Sequence, residues 1–165
     1  MARVTFFNNY FFCYYKLLQM YITEISFGTP EYDEEVGLRD RILRQPLGLQ
    51  FHIKDLEKEY NDIHLVCFAE SGKMAGCLIL SPVDQHVIKM RQVAVDLEWQ
   101  KKGVGTMLVA ASEKFASQHG FDKIVLHARD LAVPFYLRLG YEVYGEPFTE
   151  VGIEHSAMRK KITGS

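Results

Sequence analysis

The sequence predicts an α/β chain of the α+β sandwich kind, with a central mixed, mostly antiparallel, twisted sheet of about six or seven strands flanked by about four helices. Three observations predict it. Two strand-like runs, "IHLVCFAE" (63–70) and "MAGCLILS" (74–81), are separated only by "SGK", as in a hairpin. The run "KIVLHA" (123–128) is apolar on both faces, as in a strand covered by helices on both sides. Before it, from Lys101 to Gln118, the apolar residues Val104, Leu108, Ala111 and Phe115 recur at helical spacing.

The elements follow in order. "YITEISF" (21–27) is β-branched and aromatic with rough alternation, so it reads as a strand. Thr29 can cap a helix with Pro30 at its first position, and Asp33, Glu34 and Glu35 sit near the positive end of its dipole. Tyr32, Val36 and Leu43 fall on one face of that helix, and Pro46 and Gly48 stop it. After the hairpin, "VIKMRQVAV" (87–95) is a further strand, and Gly120 ends the 101–118 helix. Asp130 is placed to cap a short helix carrying Ala132, Phe135, Tyr136 and Leu139, closed by Gly140. "YEVYGE" and "HSAMRKKI" complete the strands. No linker or repeat divides the chain, so residues 21–165 form a single domain after an aromatic extension, 1–20.

Composition narrows the function. The chain has 165 residues, 48% hydrophobic and 24% charged, with net charge −2 and pI near 6.3. That is ordinary globular composition, and no overall field favours nucleic acid. Cys13, Cys67 and Cys77 form no CxxC pair and leave an odd thiol. Free thiols in a reducing, cytoplasmic compartment fit this better than a disulfide. The six histidines show no metal-ligand spacing, so no metal is expected. The aromatic extension is broken by Asn8, Asn9 and Lys16. It therefore lacks the uninterrupted apolar core of a signal peptide or a spanning helix, and covering of an apolar patch is expected instead of stable membrane insertion, with a weak membrane anchor or a misassigned start codon as the alternatives.

The chemistry concentrates in "WQKKGVGT" (99–106), between the 87–95 strand and the following helix. The first amides of a helix are unpaired and point outward, and the dipole adds positive charge. Gly103 and Gly105 let an anion approach that backbone, and Lys101 and Lys102 add charge. A Walker loop is excluded because Gly72-Lys73 is followed by Met74 and position 67 is Cys. The dinucleotide fingerprint G-x-G-x-x-G breaks at Leu108. On G-x-G alone a ligand-free helix start fits equally well.

Q-x-x-G-x-G after the strand "V-A-V" (93–95), followed by "A-x-x-F-Y-x-x-L-G-Y" (132–141), resembles the GNAT superfamily of acyl-CoA N-acyltransferases. "LRDRILRQPLG" (38–48), "HAR" (127–129) and "IEHSAM" (153–158) resemble a small bacterial branch of that family. The likeness covers about residues 21–162. It implies a GNAT-like sheet and a loop that cradles the coenzyme A diphosphate through Gln100, Lys101, Lys102, Gly103, Val104, Gly105 and Thr106. It also implies a bulged strand at Val93 and Val95 that frees the Val95 N–H for an oxyanion, with Phe135 lining the ligand and Tyr136 beside the thiol. Arg129 stands where the family often has Asn; it pairs either with a phosphate or the pantetheine arm, or in a structural ion pair. Tyr136 is alternatively a core tyrosine with its hydroxyl satisfied.

The activity so implied is direct transfer of an acetyl group from acetyl-CoA to a primary amine of a small molecule or protein. A silent coenzyme A sensor is the alternative, and a homodimer fits the family. The 87–95 strand lacks a glutamate base, leaving Glu70, His127, His155 or a water chain. His155 is preferred as an acceptor-site base because imidazole titrates near neutrality, whereas His127 suits a buried strand. Arg39 and Arg44 would line the acceptor groove and favour an acceptor bearing a carboxylate or phosphate, or else form a solvated helix face.

Overall fold

A computed structural model describes residues 20–162. The extension expected over 1–20, with Cys13, lies outside the described residues except for Met20, which opens the first strand. The order is β1 (Met20–Ile25), α1 (Pro30–Arg39), α2 (Ile53–Leu56), β2 (Ile63–Ala69), β3 (Met74–Pro82), β4 (Val87–Val95), α3 (Val104–Gln118), β5 (Lys123–Arg129), α4 (Val133–Arg138), β6 (Glu142–Val143), β7 (Phe148–Glu150) and β8 (Ile153–Lys161). One sheet runs β1-β2-β3-β4-β5-β8-β6, with β7 also on β8. Every pairing is antiparallel except β4 with β5. This is the mixed, mostly antiparallel sheet expected, with one more strand. Phe148–Glu150 is too short to register as alternation in the sequence.

Alternation along β2 sends Leu65 and Cys67 to one face and Val66 and Phe68 to the other, and both faces are covered. The larger core packs α3 and α4 on the sheet through Val104, Leu108, Leu78, Ile88, Leu126 and Met158. The smaller packs α1 on the opposite face through Leu38, Val66, Met74 and Cys77. Each such fully buried aliphatic side chain stabilises the fold by about 1.5–3 kcal/mol. Cys67 and Cys77 are free and buried, and burial pushes the Cys67 thiol up to about 11. Among the described residues, no helix is long and apolar enough to cross a membrane.

Expectations for three helices are corrected. Helix α3 begins at Val104 and not Lys101, because Lys101 (φ 59°) and Gly103 (φ 87°) are left-handed. Its buried stripe is Val104, Leu108, Val109, Ser112 and Ala116, so Ala111 and Phe115 are only partly covered. Asp130 makes no side-chain cap for α4; a 3₁₀ turn over Asp130–Ala132 leads in, and Pro134 fixes the first helical turn.

The third correction concerns α1. Thr29 caps it as expected, accepting from the Tyr32 N–H at 3.3 Å. Its inward face, however, holds Glu35 and Arg39 beside Tyr32 and Leu38, while Val36 is only partly covered. Arg39 is fully buried and lines no groove. Past Arg39 the chain widens into a π turn, Asp40–Arg44, and tightens into a 3₁₀ turn, Gln45–Leu47, before Gly48 closes it at φ 67°.

Candidate active site

The site begins where the sheet splits. β4 and β5 pair only from Val87↔Lys123 to Met90↔Leu126. Beyond Met90, β4 turns away because it carries a bulge. Its register on β3 slips between Ile79↔Arg91 and Cys77↔Ala94, and Gln92 sits at φ 50°. A left-handed non-glycine residue costs on the order of 1–3 kcal/mol and persists only when its surroundings fix it.

The surroundings are a buried polar cluster. Arg39 donates to both oxygens of Glu59, at 2.8 and 2.9 Å, and to Gln92 Oε1 at 3.0 Å. The Gln92 amide donates back to Glu59 at 3.1 Å, and the Tyr32 hydroxyl donates to Glu59 at 2.9 Å. Glu35 meets His64 Nδ1 at 2.8 Å and lies 3.8 Å from Arg39 Nε. Burial alone would raise the Glu59 carboxyl, but the Arg39 guanidinium overrides it and holds the carboxyl below its ordinary range. Burial likewise pulls the His64 imidazole down, and the Glu35 carboxylate overrides it, leaving His64 raised. Arg39 thus anchors the bulge from behind.

The bulge sets the backbone direction beyond it. The Asp96 N–H pairs with the Ala75 carbonyl at 3.0 Å, so alternation turns the Val95 N–H and carbonyl away from β3, toward the gap. The Val95 carbonyl there accepts from the Gln100 side chain at 3.1 Å. Gln100 therefore braces the loop through its side chain.

Next along the chain, α3 starts without a side-chain cap, and its first internal bond is Met107 N–H to the Gly103 carbonyl at 3.0 Å. The amides of Val104, Gly105 and Thr106 are left without an intrahelical acceptor. The two glycines act differently. A Cβ on Gly103 would meet nothing within 4 Å, so its part is the left-handed φ. A Cβ on Gly105 would meet Phe135 Cζ at 3.4 Å and Val95 Cγ2 at 3.8 Å. Lys101, Lys102 and Thr106 form the exposed rim, with the Lys102 ammonium 5.2 Å from the Trp99 ring centre, whereas the Val104 side chain is buried. Free amides, a helix dipole and two lysines around a bare backbone fit a diphosphate.

From Gly105 the path leads to Phe135 and on to Tyr136, whose rings lie 5.0 Å apart edge to face. Tyr136 lines a cavity of about 220 Å³ at the split, together with Val93, Arg129 and His155. Tyr136 is buried, and burial pushes its phenol well above the ordinary value, so it stays protonated as a donor. His155 is buried, with Nδ1 3.0 Å from the Ile153 carbonyl. A carbonyl oxygen only accepts, so Nδ1 donates in that bond and Nε2 is the ring nitrogen left free of it. Arg129 donates to the Leu43 carbonyl at 2.8 Å, tying β5 to the turn after α1.

Two base candidates move. Glu70 stands exposed at the β2–β3 turn and does not line the cavity. His127 is exposed on its strand and not buried, because β5 loses its neighbour after Leu126; it meets Glu150 at 3.0 Å and the Lys89 ammonium at 3.4 Å. Lys89, Arg91 and Glu150 line the cavity and were not singled out from the sequence. The polar interruptions in Ile88-Lys89-Met90-Arg91 were the available signal for the first two.

An uncapped helix start, the split between β4 and β5 and a buried tyrosine together make up the candidate site. The chain belongs to the GNAT acetyltransferase family: the description "Acetyltransferase (GNAT) domain" matches residues 43–162. It is 31% identical over 111 residues to N-acetyltransferase family 8 member 3 of Rattus norvegicus, covering 61% of this chain and 49% of that protein. The fold superposes on a candidate N-acetyltransferase from Lactobacillus plantarum with TM-score 0.77 and 25% identity, covering 87% of this chain and 99% of the other. A GNAT family acetyltransferase from Elizabethkingia anophelis, solved with acetyl-CoA bound, shares the fold at TM-score 0.66 and 19% identity, over 87% of this chain and 98% of the other. The chain spans about half the length of the curated relatives it matches.

Proposed function

We propose that the protein is an N-acetyltransferase that passes an acetyl group directly from acetyl-CoA to a primary amine of a small molecule or protein. One observation carries this reading. The unpaired amides of Val104 to Thr106 and the phenol of Tyr136 lie on one path through Gly105 and Phe135, bounded by the split between β4 and β5. Acetyl-CoA, when bound, supplies an activated acyl group; the chain supplies the rest. Val104, Gly105 and Thr106 hold the diphosphate through backbone N–H groups, and Lys101 and Lys102 add charge at the rim. The Val95 N–H, facing the gap, meets the carbonyl oxygen where negative charge develops.

The amine must be neutral to attack. With an ordinary pKa near 10.4, about 0.1% is neutral at pH 7.4, a cost of roughly 4 kcal/mol. His155, which lines the cavity, is the residue we assign to take that proton. Tyr136 donates a hydrogen bond to the departing sulfur; its raised pKa suits a fixed donor better than a full proton donor. Cys67 and Cys77 are buried with thiols pushed up, which disfavours an acyl-cysteine route through either.

The test pairs calorimetry of coenzyme A binding with thiol release across an amine panel. Tyr136→Phe is expected to keep coenzyme A affinity and to lower kcat about 100-fold. Tight coenzyme A binding with no amine turned over would favour a silent coenzyme A sensor instead.

A further inference from the structure

We propose that the acceptor amine belongs to a small molecule that also carries an anionic group, a carboxylate or a phosphate, and that Arg44 and Arg129 grip that group inside the cavity. The inference rests on the N-acetyltransferase reading and narrows its substrate. It is carried by positive charge that lacks internal partners. Four cations, Arg44, Lys89, Arg91 and Arg129, line the cavity against a single carboxylate, Glu150. Glu150 is already engaged by His127 at 3.0 Å, and Arg91 reaches Asp62 at 3.7 Å. Among the described residues, neither Arg44 nor Arg129 forms a salt bridge.

Geometry holds the two guanidiniums in place. Arg129 is fixed by its bond to the Leu43 carbonyl, one residue before Arg44. Arg44 lies over the Phe51 ring at 4.8 Å, and its Nε is buried with no partner. A buried guanidinium N–H without an acceptor is costly, and an oxyanion is the natural remedy. Burial, and after it the Arg44 charge, push the Arg129 guanidinium below its ordinary value, as expected of like charges held together. The planar fork of arginine matches both carboxylate and phosphate. The same field disfavours a protonated amine nearby and so promotes the neutral nucleophile. The donor's diphosphate has its own cradle at the start of α3 and does not compete for this site.

The test offers the full chain, with acetyl-CoA, matched acceptor pairs: glycine against glycinamide, β-alanine against its amide, and phosphoethanolamine against ethanolamine. Thiol release gives kcat/KM. In parallel, calorimetry with coenzyme A present compares the corresponding acetylated products, so the preference is read even without turnover. The acid member of at least one pair is expected to win by about 10- to 100-fold, the range of a charge-assisted hydrogen bond. Arg44→Gln should shrink that preference to about threefold or less, while Arg44→Lys keeps part of it. Melting temperature and coenzyme A affinity, measured on both variants, should stay at wild-type values. Equal or better use of the neutral partners overturns the inference and leaves the N-acetyltransferase reading standing. Failure of every acid to bind or react at millimolar concentration also overturns it. Loss of all turnover with acid-selective product binding retained instead sinks the catalytic reading and supports the anion site.

Discussion

Glu59→Ala tests the claim that a buried charge cluster holds the split sheet open. The substitution removes both direct bonds from Arg39, at 2.8 and 2.9 Å, and the acceptor for the Tyr32 hydroxyl at 2.9 Å. Arg39 has no solvent exposure with which to recover them. Removing one partner of a buried pair costs about 3–5 kcal/mol. Glu35 stays 3.8 Å from Arg39 and offsets part of the loss, which places the expectation near 3 kcal/mol. For a domain of this size that is a drop of roughly 6–12 °C in melting temperature. Urea unfolding followed by circular dichroism gives the free energy directly. The compensated pair Arg39→Met with Glu59→Leu should recover most of the loss, since neither Arg39 nor Glu59 is then buried without the other and Glu35 keeps His64 as its partner at 2.8 Å. A Glu59→Ala chain within about 0.5 kcal/mol of wild type would refute the reasoning, because an ordinary surface change costs that little.

Two further outcomes follow from the same geometry. Gly105→Val places a Cβ 3.4 Å from Phe135 Cζ and its methyl groups into the groove, so coenzyme A binding by calorimetry should weaken at least about tenfold with stability little changed; unaltered affinity would contradict the cradle. The cluster should also show two opposite pH limbs. Glu59, held below its ordinary value, stabilises fully above about pH 4.3 and loses that contribution as pH falls, so the gap between wild type and Glu59→Ala should close in acid. His64, held above its ordinary value, stabilises fully below about pH 6.5 and loses it as pH rises, so the gap between wild type and His64→Gln should close in alkali. Urea midpoints measured across the pH range check both signs.

The sequence was most legible where one physical pattern governs a whole element. β4 spans residues 87–95 as read, because alternation and flanking turns set both ends. The turn at 99–106 was legible as a glycine-led helix start, with Gly103 left-handed and Gly105 close to Phe135, whereas the motif alone did not say what binds there. Arg39 was not legible. A buried arginine depends on Glu59 and Gln92, 20 and 53 residues away, and no local pattern announces such partners. The same holds for the β4 bulge, which the residues alone did not locate. Residues 53–61, which carry Glu59 to the cluster on α2 and a 3₁₀ turn, show no periodicity that a window could read. His127 was misplaced for a related reason. Its neighbours are apolar on both faces, but the strand that would cover it has already diverged.

The use of charge where apolar packing would cost less follows from what β4 must do. An apolar cluster behind Gln92 would supply burial but no direction, and β4 could straighten onto β5 and lengthen the ladder past Met90. A straight strand would return the Val95 N–H to a ladder partner and close the cavity that Tyr136 and His155 line. Arg39 and Glu59 instead bind the Gln92 side chain at both ends of its amide, at 3.0 and 3.1 Å, which fixes the residue in its left-handed conformation. Replacing the pair with apolar residues should therefore restore stability without restoring turnover. That separation of folding from activity distinguishes a cluster that positions the site from one that merely fills the core.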